Sequence, residues 1–417
     1  MTTTWDVIVV GGGLAGLTAG ATAARAGART LVLDTARTGG RARTSEKDGY
    51  VFNHGAHALY RGGEGFPILR QLGIEPQGAE PPLGRYRVLI EGELHQMPAG
   101  ATSLLRTTAL TARSKAQLSK LLALLPRMDA AAVADQTVDE WLGAHGLRDD
   151  ADRMLRALLR IGTYGDDFST LSAQVAILQL QRASAKGVLY LDGGWAQLID
   201  ALAAQVEVRR KSPARAVRED AGRVVVVTDD DRLTARTVVL AAGTPDATAG
   251  LLEHDPGWGD LGPAVTAACL DVGARAVPAP GYVLGVDEPV YGTTQAPPAR
   301  QAPDGHAVVS IIRYGARSAE LDRPQLEGWL DHVGVRPDDI VTSRFLARLT
   351  VTATAPLARR GGLGGRPAIT GAGMRNVFLA GDWVGNQGVL ADASIASGHA
   401  AGRAAARAAE RSVTMVA

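Results

Sequence analysis

Apolar positions along this chain change their spacing several times, and each change predicts an element. Residues 6–10, Asp-Val-Ile-Val-Val, form the β-branched run of a buried parallel strand. The run passes into a glycine-rich turn at residues 11–16 and a helix-like stretch over 17–26, closed by Gly27. A second strand at 29–33 ends on Asp34, which completes a strand–turn–helix–strand unit. Beyond residue 80 the pattern changes: Pro81-Pro82 breaks the chain, and residues 101–186 are rich in Leu, Ala and Arg at helical spacing. Leu118, Leu121, Leu122 and Leu125 form one apolar stripe, with Arg113, Lys115, Lys120 and Arg127 around it. This predicts an amphipathic helix on a core, the alternative being a basic helix that faces a membrane surface. Strand patterns return at 206–208, 224–228, 237–241, 307–312, 345–351 and 377–380, and an Ala-rich helix is predicted over 392–409. Asp229, Asp230 and Asp231 fall where a hairpin turn is needed.

Composition narrows the class. The chain has 417 residues, 46% of them apolar and 21% charged, enough for two or three domains with a large core. With 44 Lys+Arg against 43 Asp+Glu there is no basic excess to hold nucleic acid. A single cysteine, Cys269, excludes an internal disulfide framework and fits a cytoplasmic setting. Residues 7–24 carry no charge, but their glycines and the preceding Asp6 fit a strand and packed helix better than a membrane span or secretory signal. Glycine is the outlier at 50 residues, so the positions of the glycines matter.

Gly11, Gly13 and Gly16 give G-x-G-x-x-G in the strand–turn–helix setting that a dinucleotide fingerprint requires. The first glycine permits the tight turn, the second lets the backbone approach a pyrophosphate, and the third lets helix and strand pack. Asp34 stands at the next strand end, where a carboxylate accepts hydrogen bonds from a ribose diol, favouring FAD or NAD over NADP.

Further motifs follow in order: Arg37-Thr-Gly-Gly-Arg-Ala-Arg-Thr44, Gly49 to His57, Gly193-Gly194-Trp195, Ser212-Pro213-Ala214, Val238 to Gly243, Val377-Phe-Leu-Ala-Gly-Asp-Trp383 and Gly388 to Gly398. At these residues the chain resembles the superfamily of FAD-dependent amine oxidases, protoporphyrinogen oxidases and phytoene desaturases. The resemblance implies an α/β Rossmann-like FAD-binding domain (a parallel sheet with helices), plus a discontinuous α+β substrate domain. The expected division is 1–80, 190–250 and 365–417 for FAD, with 81–189 and 251–364 for substrate and a helical insertion.

It also implies roles for particular residues. Cofactor contacts are expected from Gly11, Gly13, Leu14, Ala15, Gly16, Asp34, Thr35, Arg37, Gly39, Gly40, Arg41 and Ala42. They continue through Gly55, Ala56, His57, Ala214, Ala242, Gly243, Gly381, Asp382, Val389 and Leu390. Arg41 would neutralise a phosphate, Asp382 would accept hydrogen bonds from the ribityl chain, and the helix after Leu390 would point at the flavin pyrimidine. Asp382 as a turn cap is the alternative. The FAD is expected to be non-covalent, because Cys269 lies in an apolar strand-like run. His54 and His57 lack a third ligand nearby, so no metal is expected.

Two departures bear on the reaction. Many amine oxidases of this superfamily carry a lysine on a substrate-domain strand near flavin N5, whereas the five lysines here are 47, 115, 120, 186 and 211. The position of their aromatic cage wall is Leu390, and Trp383 after Gly-Asp resembles the desaturase-like members. The expected reaction is hydride removal from a small, largely apolar metabolite, as in phytoene desaturase-like enzymes, with oxygen or a quinone as electron acceptor. Flavin amine oxidation of a C–N bond is the alternative, followed by a redox-neutral isomerase or a non-catalytic flavin-binding subunit. His57 and Trp383 are the catalytic candidates, and Tyr164, Trp195 and Tyr291 the expected substrate-pocket walls. Peripheral membrane contact remains an open alternative at this point.

Overall fold

The computed structural model describes residues 4–220 and 222–414. Its first sheet is seven-stranded. Glu207–Arg209, Thr30–Leu33, Thr4–Val10 and Arg232–Leu240 lie side by side in that order, all parallel. Val7, Ile8 and Val9 are fully buried, because helices or strands cover both faces of such a sheet. On its other side Arg232–Leu240 changes partner along its length. Its first half pairs antiparallel with Arg223–Thr228, and residues 238–240 pair parallel with Val377–Leu379. That switch brings the C-terminal part of the chain onto the sheet begun by the first ten residues. The turn at Asp229–Asp231 joins Arg223–Thr228 to Arg232–Leu240, as the turn residues predict, and Thr228 donates its amide to the Asp231 carbonyl.

The helix Leu14–Arg25 packs on this sheet because two positions lack side chains. A Cβ at Gly16 would lie 1.8 Å from the Gly11 carbonyl, and Gly11 itself adopts φ +110. The C-terminal helix Ala391–Thr414 crosses the same helix closely. A Cβ at Gly398 or Gly402 would come within 2.3 or 2.4 Å of the Ala15 or Ala19 carbonyls.

The second sheet is also seven-stranded and draws on Arg87–Ile90, Glu93–Gln96 and the five strands from Val265 to Thr352. Its long edge strand Ile340–Thr352 pairs with Val265–Ala274 through several register shifts. Helices Ala112–Leu124, Asp149–Thr163 and Ala173–Lys186 close over it in one apolar cluster. Leu118, Leu121 and Leu125 are buried as the stripe predicts, while Arg113, Lys120 and Arg127 are exposed. Cys269 is buried in this sheet, its thiol donating to Asp271, and burial pushes it well above its ordinary pKa. Among the described residues no helix is long and apolar enough to cross a membrane. The charge-free run at 7–24 is the first strand and helix.

Candidate active site

One cavity of about 1280 Å³ runs from the glycine-rich turn of the first sheet to the face of the second. Single-ligand sites commonly span roughly 300–1,000 Å³, so this one has room for a cofactor and a substrate.

At the first end Gly13 precedes the helix, and a Cβ there would meet nothing within 4 Å, leaving the backbone open to a ligand. Helix termini leave their first N–H groups without intrahelical partners, and Leu14 and Ala15 of that first turn line the cavity. Asp34 accepts the amides of Gly12 and Ala36, at 2.9 Å each, so the acid holds the glycine-rich turn in place. The loop at 37–43 folds onto the turn: Gly39 donates to the Gly12 carbonyl at 2.8 Å, and Gly40 adopts φ +53 against Gly13. Thr35, Arg37, Gly39, Gly40, Arg41 and Ala42 all reach the cavity, as do Ala214, Ala242 and Gly243 from the opposite strand ends. An elongated, open-backed glycine cradle with a carboxylate at its far end fits the pyrophosphate and ribose of FAD.

Midway, Arg41 and Asp382 meet. Arg41 Nη1 and Nη2 donate to the Asp382 carboxylate at 2.6 and 2.7 Å, and Ala353 donates its amide at 2.9 Å. Burial opposes the Arg41 charge, but Asp382 more than offsets it and raises the guanidinium pKa. Arg41, expected to meet a phosphate, forms a bidentate pair with Asp382, the acid expected to serve the ribityl chain. Both residues, with Gly381, line the cavity.

Gly55, Ala56 and His57 line the cavity beside this pair. His57 Nδ1 donates to the Gly55 carbonyl at 2.9 Å, and the ring lies 5.1 Å from Trp195. Burial holds the His57 pKa below its ordinary value, so the ring is neutral at pH 7. His54 is depressed too, by burial and then by Arg43 and Arg344. Among the described residues no group of three His, Cys, Asp or Glu side chains could hold a metal ion. Leu390 lines the cavity just before the C-terminal helix, in the left-handed region at φ +56. Tyr164, at the same φ of 56, also lines it. Such conformations cost energy in a non-glycine residue and cluster at functional sites.

Three site expectations are corrected. Trp383 does not reach the cavity: its indole is fully buried against Trp258, ring centroids 4.9 Å apart, in the apolar layer behind the first sheet. The indole sits directly under Gly381, where a Cβ would meet its Nε1 at 2.8 Å. Val389 turns its side chain into a small core with Val175 and Leu363. Gly16 is a packing glycine under the turn and does not line the cavity. Tyr164, Trp195 and Tyr291 do line it. Sequence reasoning did not single out Tyr60, Tyr86, Gln179 and Tyr190, which share that wall. Tyr190 was within reach of pattern reading, since Val188–Leu191 is a short apolar run after a helix ended by Gly187.

Two sheets joined by a glycine-cradled cavity define a dinucleotide-binding fold. The family profile of flavin containing amine oxidoreductases matches residues 14–274, and the chain belongs to that family. It is an FAD-dependent oxidoreductase. Cyclohexylamine oxidase from Brevibacterium oxydans superposes with a TM-score of 0.74 at 18% identity, covering 98% of this chain and 100% of its own. An oxidoreductase from Methanosarcina mazei superposes at 0.72 and 16% identity over 95% of this chain and 99% of its own. Putrescine oxidase with bound putrescine gives 0.70 at 16% identity, covering 98% and 99%. No curated protein sequence matches the chain.

Proposed function

We propose that this flavoenzyme is a dehydrogenase that removes a hydride from a small, largely apolar substrate and hands the electrons to a quinone-like acceptor. Non-covalently bound FAD would supply the hydride-accepting chemistry. The chain's own part is to bind, orient and exclude water. In this reading the amides after Gly13 and the helix dipole meet the pyrophosphate, and Asp34 holds the adenosine ribose. Asp382 would accept hydrogen bonds from the ribityl chain, and the helix that starts after Leu390 would favour negative charge on the pyrimidine. Residues 1–80, 190–250 and 365–417 make up the cofactor part, and 81–189 and 251–364 the substrate part.

The observation that carries the dehydrogenase reading is the placement of positive charge. The Arg and Lys side chains on the cavity wall are Arg37, Arg41 and Arg43, all from one loop beside the glycine cradle. The edge strand Ile340–Thr352 presents Leu349 and Val351 to the cavity. Arg344 is bound to Asp271, Arg313 pairs with Asp322, and Arg348 is exposed; none of the three lines the cavity. Among the described residues the substrate half therefore offers no Arg or Lys side chain to stabilise superoxide-like charge as oxygen attacks.

The test is to reduce the flavin anaerobically with dithionite and mix it with oxygen or a soluble quinone. Reoxidation by the quinone is expected to be much faster. Equal rates, together with anaerobic bleaching of the oxidised flavin by amines and not by apolar C–H donors, would establish amine oxidation instead.

A further inference from the structure

The substrate half of the cavity is largely apolar; Gln179 and Tyr164 on its wall are tied to the Gly162 and Ala56 carbonyls, and a chain of hydroxyls stands beside them. Leu104, Leu125, Ile161 and Ile312 surround a short chain of hydroxyls. The Tyr86 and Tyr190 hydroxyls are 3.2 Å apart, and the Tyr190 hydroxyl is 2.9 Å from Thr293 Oγ1. Tyr86 is 5% exposed, Tyr190 2% and Thr293 0%. Tyr86 is also fixed from behind, stacked on Tyr282 at 4.7 Å. Three hydroxyls carry three protons, and the two contacts between them use two. One proton is left over. Thr293 is fully buried and also faces the Tyr86 and Tyr291 hydroxyls, so its own proton is best used within the cluster. If Tyr291 donates to Thr293, Thr293 to Tyr190 and Tyr190 to Tyr86, the chain ends on Tyr86, whose proton is free for a ligand in the cavity it lines.

Carboxylates are the complementary observation. Those on the cavity wall are Asp34, Glu80 and Asp382. Asp34 holds two backbone amides, Asp382 holds Arg41, and Glu80 is exposed and paired with Arg61. None stands among the tyrosines to balance an ammonium, and burial raises the Tyr86 pKa so that the phenol stays a neutral donor.

From this we infer that the Tyr86–Tyr190–Thr293 chain is a substrate-anchoring subsite that donates one hydrogen bond to an uncharged acceptor oxygen, a carbonyl or ether, on an otherwise apolar substrate. The inference deepens the dehydrogenase reading and rests on it for the cavity's role. Its test is a binding measurement that needs no turnover. The oxidised holoenzyme is titrated with 1-tetralone, tetralin and protonated 1-aminotetralin, matched in shape, and followed by calorimetry and flavin absorbance.

The ketone should bind about fivefold or more tighter than the hydrocarbon, the gain of one net hydrogen bond, and the ammonium weakest of the three. Tyr86→Phe and Tyr190→Phe should each shrink the ketone-to-hydrocarbon ratio toward one. Tyr50→Phe, whose hydroxyl bonds His306 away from the cavity, should leave it unchanged. A purely structural role would weaken all three ligands alike and leave the ratio intact. Ammonium binding as tight as the ketone, an unchanged ratio in both variants, or no binding of 1-tetralone would each overturn the subsite. Flavin bleaching by apolar donors is read separately, so its failure would strike the dehydrogenase reading without moving this ratio.

Discussion

The Arg41–Asp382 pair is unevenly buried, and that unevenness predicts an unequal response to removing either partner. The Arg41 side chain is 33% exposed and the Asp382 side chain 2%. Replacing Arg41 by Met keeps most of the volume but strands the Asp382 carboxylate with the Ala353 amide as its remaining donor. Losing one partner of a buried ion pair typically costs about 3–5 kcal/mol, and the surviving amide bond places this case near 3. Asp382→Asn instead leaves a guanidinium that reaches solvent and still donates to the Val351 carbonyl at 3.1 Å. Its cost should be roughly 1 kcal/mol, the size of one net hydrogen bond. The double variant strands no buried charge, so it should cost less than the sum of the two, by about 1–2 kcal/mol. Urea unfolding of all four proteins without FAD, followed by tryptophan fluorescence, gives the cycle. Equal costs for the two single variants, or strict additivity, would refute the burial argument. Repeating the cycle with saturating FAD reports whether the pair opens on binding: if Asp382 turns to the ribityl chain, the coupling between the two residues should fall.

Two further outcomes follow from the same geometry. Asp34→Ala removes the acceptor for the Gly12 amide as well as the proposed ribose ligand, so FAD affinity measured by fluorescence titration should fall about ten- to hundredfold, or roughly 1–3 kcal/mol; the spectrum of bound flavin should hardly move. Asp392, 2% exposed near the start of the C-terminal helix, has its pKa raised to about 7, chiefly by burial. The folded protein then binds more protons than the unfolded chain between pH ~4 and ~7, so this residue makes stability fall as pH rises through that window, by at most about 4 kcal/mol. Asp392→Asn should flatten that slope in urea titrations at several pH values, and an unchanged slope would show that the carboxyl is not the group responsible.

The reach of the sequence follows from the range over which the physics acts. The glycine cradle was legible because its constraints are local: Gly11 and Gly16 must lack side chains within one turn, and Asp34 ends the very next strand. The amphipathic stripe at Leu118, Leu121 and Leu125 was legible for the same reason, since helical periodicity records which face is buried. Trp383 shows the limit. Its place after Gly-Asp says nothing about which side of Gly381 the indole takes, and only packing against Trp258 decided that it lies behind the sheet. Arg41 and Asp382 are 341 positions apart, and no periodicity links them; the partner switch along Arg232–Leu240 brings the strand before Asp382 onto the sheet whose strand Thr30–Leu33 leads into the loop of Arg41. The hydroxyl chain is a tertiary product as well. Tyr86 comes from the turn before the strand Arg87–Ile90, and Tyr190 and Thr293 from two distant strands; any single-residue reading treats each as ordinary core. Local backbone geometry is encoded by neighbours in the chain, whereas the neutralisation of buried charges and the pairing of hydroxyls depend on which distant strands the fold sets side by side.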